Sequence, residues 1–277
     1  MYNLVELCFL LMIVSDVCPR RFSRVPRIGY HKIQQHSQLN PQFNTKLRSL
    51  IVKSHNYFRS NVDPPAADML KMVWDQESAK MSQSWAEKCR KLEHTPSHGR
   101  FTKRFGSCGQ NILIASHPVP WFFVVESWWL ERKQFTFGQR GENDLNQVGH
   151  YTQLVWNASH SVGCGFHKCS NSSSGEKYFT YVCNYCPAGN FMNRLDFPYT
   201  RGEHCSLCSD HCISSTGKLC TNYCPVADFW TNCQDLMDEM ENECGKEVEK
   251  CGMCNRRYYQ RSCRATCNCR RKLHRHF

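Results

Sequence analysis

Apolar residues recur at helical spacing between Thr45 and Ser60, where Leu47, Leu50, Ile51 and Phe58 share one face, and Asp63-Pro64-Pro65 then stops the pattern. This predicts a first helix. A second is predicted to begin near Asp75, a residue type suited to the N-cap, and to carry Trp85, Cys89 and Leu92 on one face. A third spans about Trp121 to Lys133 after Pro118 and Pro120; its aromatics Trp121, Phe122, Phe123, Trp128 and Trp129 read as core packing, with a lipid slot as the alternative. From 161 to 184 the period changes to two: Val162, Cys164 and Phe166, then Tyr178, Thr180 and Val182, flank the polar loop Asn171-Ser172-Ser173-Ser174-Gly175. That is a hairpin pattern, and helices followed by antiparallel strands predict an α+β domain ending near Pro198.

Outside this domain the pattern is different. The apolar run Leu7 to Val14 is too short to span a bilayer, precedes Pro19-Arg20-Arg21, and reads as the core of a signal peptide over residues 1–18. Beyond Tyr199, twelve cysteines lie between Cys205 and Cys269 with few aliphatic residues among them, so that segment depends on cross-links for stability and is expected to unfold first on reduction. The chain has 20 cysteines, and persistent disulfides need an oxidising compartment, so secretion is expected from two separate features. Cys8 lies in the leader and Cys18 at its edge; loss of Cys18 on cleavage leaves an even set of 18, whereas its retention leaves one odd thiol. Zinc-binding cysteine pairs in a cytosolic protein are the rival reading, and the leader argues against it. The sequons at Asn157 and Asn171 are candidate glycosylation sites.

The formal net charge of +11 is unevenly distributed. Nine Lys and Arg and no acid lie between Val17 and Val62, and residues 19–44 read as a flexible basic arm. Asp235 to Glu249 holds seven acids and one Lys, whereas Lys250 to Arg275 holds nine basic residues and no acid. In a secreted chain without a recognised nucleic-acid module, such patches suit acidic lipids, glycans or the mouth of a cation channel, and no nucleic-acid partner is expected.

Local motifs then become specific. Gly149-His150-Tyr151-Thr152-Gln153-Leu154-Val155-Trp156 with Gly163-Cys164-Gly165, and Cys183-Asn184-Tyr185-Cys186-Pro187-Ala188-Gly189-Asn190, closely resemble the two signature stretches of the CAP superfamily. His55-Asn56-Tyr57-Phe58-Arg59, Cys108-Gly109-Gln110-Asn111 and Glu126-Ser127-Trp128-Trp129-Leu130-Glu131 support the resemblance. Pro64-Pro65-Ala66-Ala67-Asp68-Met69-Leu70-Lys71-Met72 and the cysteine-rich tail narrow it to vertebrate cysteine-rich secretory proteins, over about residues 45–269.

The resemblance implies an α-β-α sandwich over residues 45–199, a hinge at 200–229, and at 230–269 a helical ShKT-like module similar to the potassium-channel-blocking toxins of sea anemones, with a basic tail at 270–277. It also implies the pairs Cys89–Cys169, Cys108–Cys186, Cys164–Cys183, Cys205–Cys212, Cys208–Cys220, Cys224–Cys269, Cys233–Cys263 and Cys244–Cys267. Cys251 and Cys254 remain, in what resembles an insertion: they close a local bridge or form a reducible Cys-x-x-Cys.

The family's cleft of two histidines and two acids falls on His94, position 110, Glu131 and His150, and position 110 here is glutamine. Two imidazoles and Glu131 suit a weak Zn²⁺ site or a purely structural cleft. An amide at Gln110 supplies neither negative charge nor a general base, although it can orient a histidine, and Ser127 and Ser161 lie in no recognisable catalytic context. No enzymatic activity and no required cofactor are expected, with weakly held Zn²⁺ the one candidate.

In the tail, Arg256, Arg257, Tyr258, Tyr259 and Arg261 combine cations with aromatics, as channel-blocking modules do; a solvated charged loop is the alternative. Phe229 and Trp230 read either as packing or as an exposed contact. The expected function is therefore a secreted, monomeric, non-enzymatic modulator of an ion channel or cell-surface receptor. The alternatives are a reproductive-tract or sperm-surface adhesion or lipid-binding protein, taking a sterol or an acidic lipid, that acts through the N-terminal domain, and a metal-assisted hydrolase.

Overall fold

Asn44 Oδ1 accepts the Leu47 amide at 3.0 Å and starts helix α1, Thr45–Arg59, whose buried face carries Leu47, Leu50, Ile51 and Phe58. The computed structural model describes residues 36–170, 175–213, 217–230, 232–244 and 252–269. The leader with Cys8 and Cys18, the arm before His36, Asn171, Cys251 and the basic tail lie outside the described residues.

Strand β1, Val73–Trp74, leads into α2, Gln76–Glu87, capped by Asp75 Oδ2 on the Ser78 amide at 2.7 Å. Then follow β2, Phe101–Thr102, β3, Gly106–Ser107, and β4, Gly109–Ala115. Helix α3, Trp121–Leu130, runs on as a 3-10 turn at Glu131–Lys133, and α4 covers Leu145–Leu154. The long hairpin is β5, Ser161–Ser170, with β6, Lys177–Cys186, and the sheet order is β1-β5-β6-β4 with β1 parallel to β5 and the other pairs antiparallel.

Alternation along β6 sorts the layers. Tyr181, Cys183 and Tyr185 join the large core with α1, α3 and α4, while Val182 packs with Trp85 and Ala86 of α2 on the other face. The expected α-β-α sandwich is the observed fold. Helix α2 lies so close to β5 that a Cβ on Gly163 would stand 2.1 Å from the Ala79 nitrogen, and one on Gly165 2.4 Å from Gln83 Cα. Of the five aromatics in α3, Trp121, Phe122, Trp128 and Trp129 are buried in the core, and Phe123 is exposed.

Two expectations need correction. Helix α2 ends at Glu87, so Cys89 and Leu92 are not on its face: both have left-handed backbone (φ 54° and 51°), which turns the chain out so that Cys89 reaches Cys169 while Leu92 is exposed. The end of the basic arm, from His36 to Phe43, forms two short 3-10 turns rather than a loose segment. There Leu39 is buried, its carbonyl accepts Trp121 Nε1 at 2.8 Å, and Gln42 Nε2 donates to the carbonyls of Ala79 and Cys164.

The hinge runs along the N-terminal domain. Cys220 N donates to Met69 O and Lys71 N to Cys220 O, and Leu70 packs with Cys205, Cys208 and Cys220. The cysteine-dense module contains α5, Cys233–Cys244, α6, Arg257–Ser262, and α7, Arg264–Asn268. Asp228 caps α7, accepting from the amides of Ala265 and Thr266 and from Thr266 Oγ1.

The structure joins Cys89–Cys169, Cys108–Cys186, Cys164–Cys183, Cys205–Cys212, Cys208–Cys220, Cys224–Cys269 and Cys233–Cys263. The eighth pair among the described residues is Cys254–Cys267, with Cα atoms 5.3 Å apart. This replaces the expected Cys244–Cys267 pair and removes the local Cys251–Cys254 bridge. The reason is packing: the turn Met253–Asn255 lies under α6, with Met253 fully buried among Cys233, Met237 and Cys263, and this brings Cys254 to α7.

Candidate functional site

The cleft is assembled from four separate segments. Glu131 follows α3, His150 lies within α4, Gln110 is on β4, and His94 is in the loop after α2. Glu131 Oε1 lies 2.6 Å from His150 Nδ1, and its Oε2 accepts the backbone amides of His150 and Tyr151 at 2.9 and 3.0 Å. Trp128 stacks on the His150 ring at 6.2 Å between centroids. With Nδ1–H donated to the carboxylate, the Nε2 lone pair of His150 is left for a ligand.

Gln110 does for His94 what Glu131 does for His150. Its Oε1 accepts from His94 Nδ1 at 3.1 Å and from the Thr95 amide at 2.9 Å, while Nε2 donates to Thr95 Oγ1 and Asn184 Oδ1. Partial desolvation lowers the His94 pKa, and nearby Arg100 and His150 add to the effect against the opposing Gln110 hydrogen bond. An amide is the group that fits here, because two of its four hydrogen bonds are donated.

Below the cleft lies a buried polar chain that motif reading did not single out as functional. His55 Nδ1 donates to Ile51 O, so its Nε2 accepts from the Tyr185 hydroxyl at 2.9 Å. Asn111 Nδ2 donates to His150 O, with a longer contact to Tyr185 Oη. Burial pushes the His55 pKa down to about 4 and holds Tyr185 well above its ordinary value. The signal was in the quoted motifs, which contain His55, Asn111 and Tyr185, but their contact depends on three elements distant in sequence.

As a metal centre the cleft is narrower than expected. His94, His150 and Glu131 do not bring three donor atoms within 4.8 Å of one another; among the described residues only Cys205, Cys208 and Cys220 do so, and their sulfurs are bound in disulfides. Glu131, hydrogen-bonded to His150 Nδ1, acts as a positioning residue for that ring. A set of two imidazoles fits weak, partial coordination and falls short of the three or four protein ligands of a tight zinc site. Ser127 Oγ donates to Val124 O and Ser161 is buried in β5.

Asn157, a candidate glycosylation site, is buried, and its Nδ2 donates to Asp68 Oδ2 at 2.7 Å. The folded chain thus uses the nitrogen that a glycan would need.

In the tail, Arg256, Arg257, Tyr258 and Arg261 are exposed and Tyr259 is half-buried. They lie on and just before helix α6, where an irregular charged loop was the alternative expectation. Trp230 meets Tyr258 at 4.9 Å and Tyr259 at 6.1 Å between ring centroids, and the bridges Cys233–Cys263 and Cys254–Cys267 flank the helix.

A family model described as "Cysteine-rich secretory protein family" matches residues 52–185, and the model described as "Crisp" matches residues 205–274. The chain is 40% identical to human Cysteine-rich secretory protein 2 over 224 residues, covering 81% of this chain and 84% of that one, and 36% identical to mouse Cysteine-rich secretory protein 1 over 242 residues, covering 87% and 91%. Among solved structures it is similar to Na-ASP-1 (TM-score 0.54, 28% identity), over 68% of this chain and half of that one. It is also similar to a structure titled NaASP2 with Zn²⁺ (TM-score 0.52, 28% identity), over 64% and 96%. With both of its cysteine-bearing parts matched in order, and relatives aligned over most of their length, this chain belongs to the cysteine-rich secretory protein family.

Proposed function

We propose that the chain is a secreted, non-enzymatic binding protein whose cysteine-rich module modulates an ion channel, with the CAP domain as its carrier and anchor at the cell surface. The observation that supports this reading is the exposed face of α6. Arg256, Arg257 and Arg261 have no ion-pair partner among the described residues, and Tyr258, 64% exposed, leans on Trp230. Side chains held between two disulfides lose little conformational entropy on docking, and cations beside an aromatic ring suit the negative vestibule of a cation channel. Secretion is supported by the disulfides and by the relatives' names. Among the described residues no helix is long and apolar enough to cross a membrane.

For the cleft, the supported reading is weak Zn²⁺ binding by His94 and His150 through their Nε2 atoms, with Gln110 and Glu131 setting the tautomers. The relative titled with Zn²⁺ supports it. Bound Zn²⁺ would supply a local positive charge and Lewis acidity.

The test is patch-clamp recording of Ca²⁺, K⁺ and ryanodine-type channels with the full chain, its reduced form, and the variants Arg257→Ala and Tyr258→Ala. Disulfide-dependent block that weakens about tenfold in each variant is expected. Silence on every channel, or block untouched by both substitutions, would sink the channel reading and leave adhesion through the CAP domain.

A further inference from the structure

We propose that a groove on the CAP domain, lined by none of the histidine cleft's residues, binds an aromatic anion, an aryl sulfate or aryl carboxylate. Its acid would lie between the guanidinium groups of Arg194 and Arg201, and its ring against Phe137 and Phe197.

The groove encloses about 560 Å³ and is open to solvent on one side. Phe137 lies 4.9 Å from Tyr199 at 40° and 5.8 Å from Phe197 at 80°, so the walls offer a face and an edge to the same incoming ring. Gly138, with φ 84°, keeps the lip clear: a Cβ there would stand 3.5 Å from Phe197 Cε1. The Tyr199 hydroxyl donates to Pro64 O at 2.9 Å and its ring is buried behind Phe137, so Tyr199 backs the groove wall.

The polar side of the groove is cationic. Arg194 is half-buried: its guanidinium lies 5.3 Å from the Trp156 ring centroid, and its Nη2 donates to the neutral acceptors Phe197 O at 3.2 Å and Asn157 Oδ1 at 3.5 Å. Burial lowers its pKa, and the neighbouring Asp68 offsets this only in part. The Asp68 carboxylate is itself occupied by Asn157, Thr200 N and Thr200 Oγ1. Arg201 is exposed and has no ion-pair partner among the described residues, while its backbone is pinned by the bridge to Ala66 and by Gly202 N on Pro65 O. A third guanidinium, that of Arg140, stands 5.9 Å from the Phe197 ring.

No lining residue is acidic, and the adjacent Asp196 is directed to Asn143 and the Gly141 amide. Two guanidinium groups with no ion-pair partner among the described residues, set beside two accessible rings, select an anion with an aromatic body over either group alone. An open, ring-walled groove suits a planar arene better than a long acyl chain, which needs a tunnel to cover it.

The full, oxidised chain is titrated calorimetrically with naphthalene-1-sulfonate, 1-naphthol and inorganic sulfate. One-to-one binding of the sulfonate, at least about tenfold tighter than either comparison compound, is expected, with a loss of about tenfold in Arg201→Ala. Arg201 is exposed, so that variant folds; Phe197→Leu, checked by its melting curve, should weaken the sulfonate and leave inorganic sulfate unchanged. Equal binding of naphthol would overturn the anionic half of the site and equal binding of sulfate the aromatic half. Unchanged affinity in Arg201→Ala, or no binding of the sulfonate, would overturn the site itself.

Discussion

The Arg264 guanidinium lies 4.1 Å from the centroid of the Phe229 ring. Its Nη atoms also donate to the carbonyls of Lys103 and Arg104, in the turn between β2 and β3. One side chain of the cysteine-rich module thus joins that module to the CAP domain, and Ala227 N on Arg104 O and the Phe101–Phe229 ring contact complete the junction. Arg264→Ala should cost about 1–2 kcal/mol at the junction. Limited proteolysis should then cut between residues 213 and 232 earlier than in the parent chain. Identical digestion would mean that the hinge disulfides alone hold the modules together.

Cleft chemistry predicts a graded effect on metal binding. His94→Ala and His150→Ala should each abolish measurable Zn²⁺ uptake in a competition assay with a chelating dye. Glu131→Gln, which keeps the shape but weakens the acceptor on His150 Nδ1, should reduce affinity by about 10–100-fold. If the Glu131 variant lost binding as completely as the histidine variants, Glu131 would be a ligand after all.

Two buried histidines make stability pH-dependent. Burial lowers His55 and His160 to about 4, against 6.5 in the unfolded chain; His160 is stacked on Tyr223 at 4.6 Å, its Nε2 lacks a partner among the described residues, and Arg59, Arg104 and Asp75 surround it. Between those values the unfolded chain binds more protons than the folded one. Stability is therefore full above pH 6.5 and falls as pH drops toward 4, by on the order of 3 kcal/mol for each histidine. Urea midpoints measured from pH 7 to 4.5 should fall accordingly, and His160→Phe should flatten the slope relative to the parent.

The Cys254–Cys267 bridge predicts one cross-linked peptide pair in a non-reducing digest analysed by mass spectrometry. Cys254→Ser should destabilise the module by about 2–5 kcal/mol and leave the CAP-domain transition unchanged. A peptide joining Cys244 to Cys267 would contradict the packing described above.

Asn157 should carry no glycan when the chain is expressed in a glycosylating host, because its Nδ2 is held by Asp68. Asn157→Ala should leave the glycan mass unchanged and still cost about 1–3 kcal/mol, since it removes a donor from a buried carboxylate. A glycopeptide containing residue 157 would show that this hydrogen bond is dispensable.

Much of this was legible along the chain, because helix faces, caps and the hairpin are local patterns. Asp75 as a cap, the aromatic face of α3, and the period-two runs on either side of 171–174 follow from residue spacing alone. The same spacing failed at Cys89, where a left-handed residue ended the helix before its apolar positions did. It failed again at residues 36–43, whose largely polar composition hid the contacts of Leu39 and Gln42 with residues far along the chain.

By itself the sequence determined the α+β architecture, the cysteine density of the second half and the identities of the cleft residues, since these rest on composition, period and motif. Only the tertiary structure decided that Glu131 orients His150, that Cys254 takes Cys267, and that Arg194 and Arg201 line one groove with Phe137 and Phe197. Each is a contact between segments whose distance along the chain carries no information about their separation in space; only the packing of α3, α4, the turn at 253–255 and the segment 194–201 fixes it.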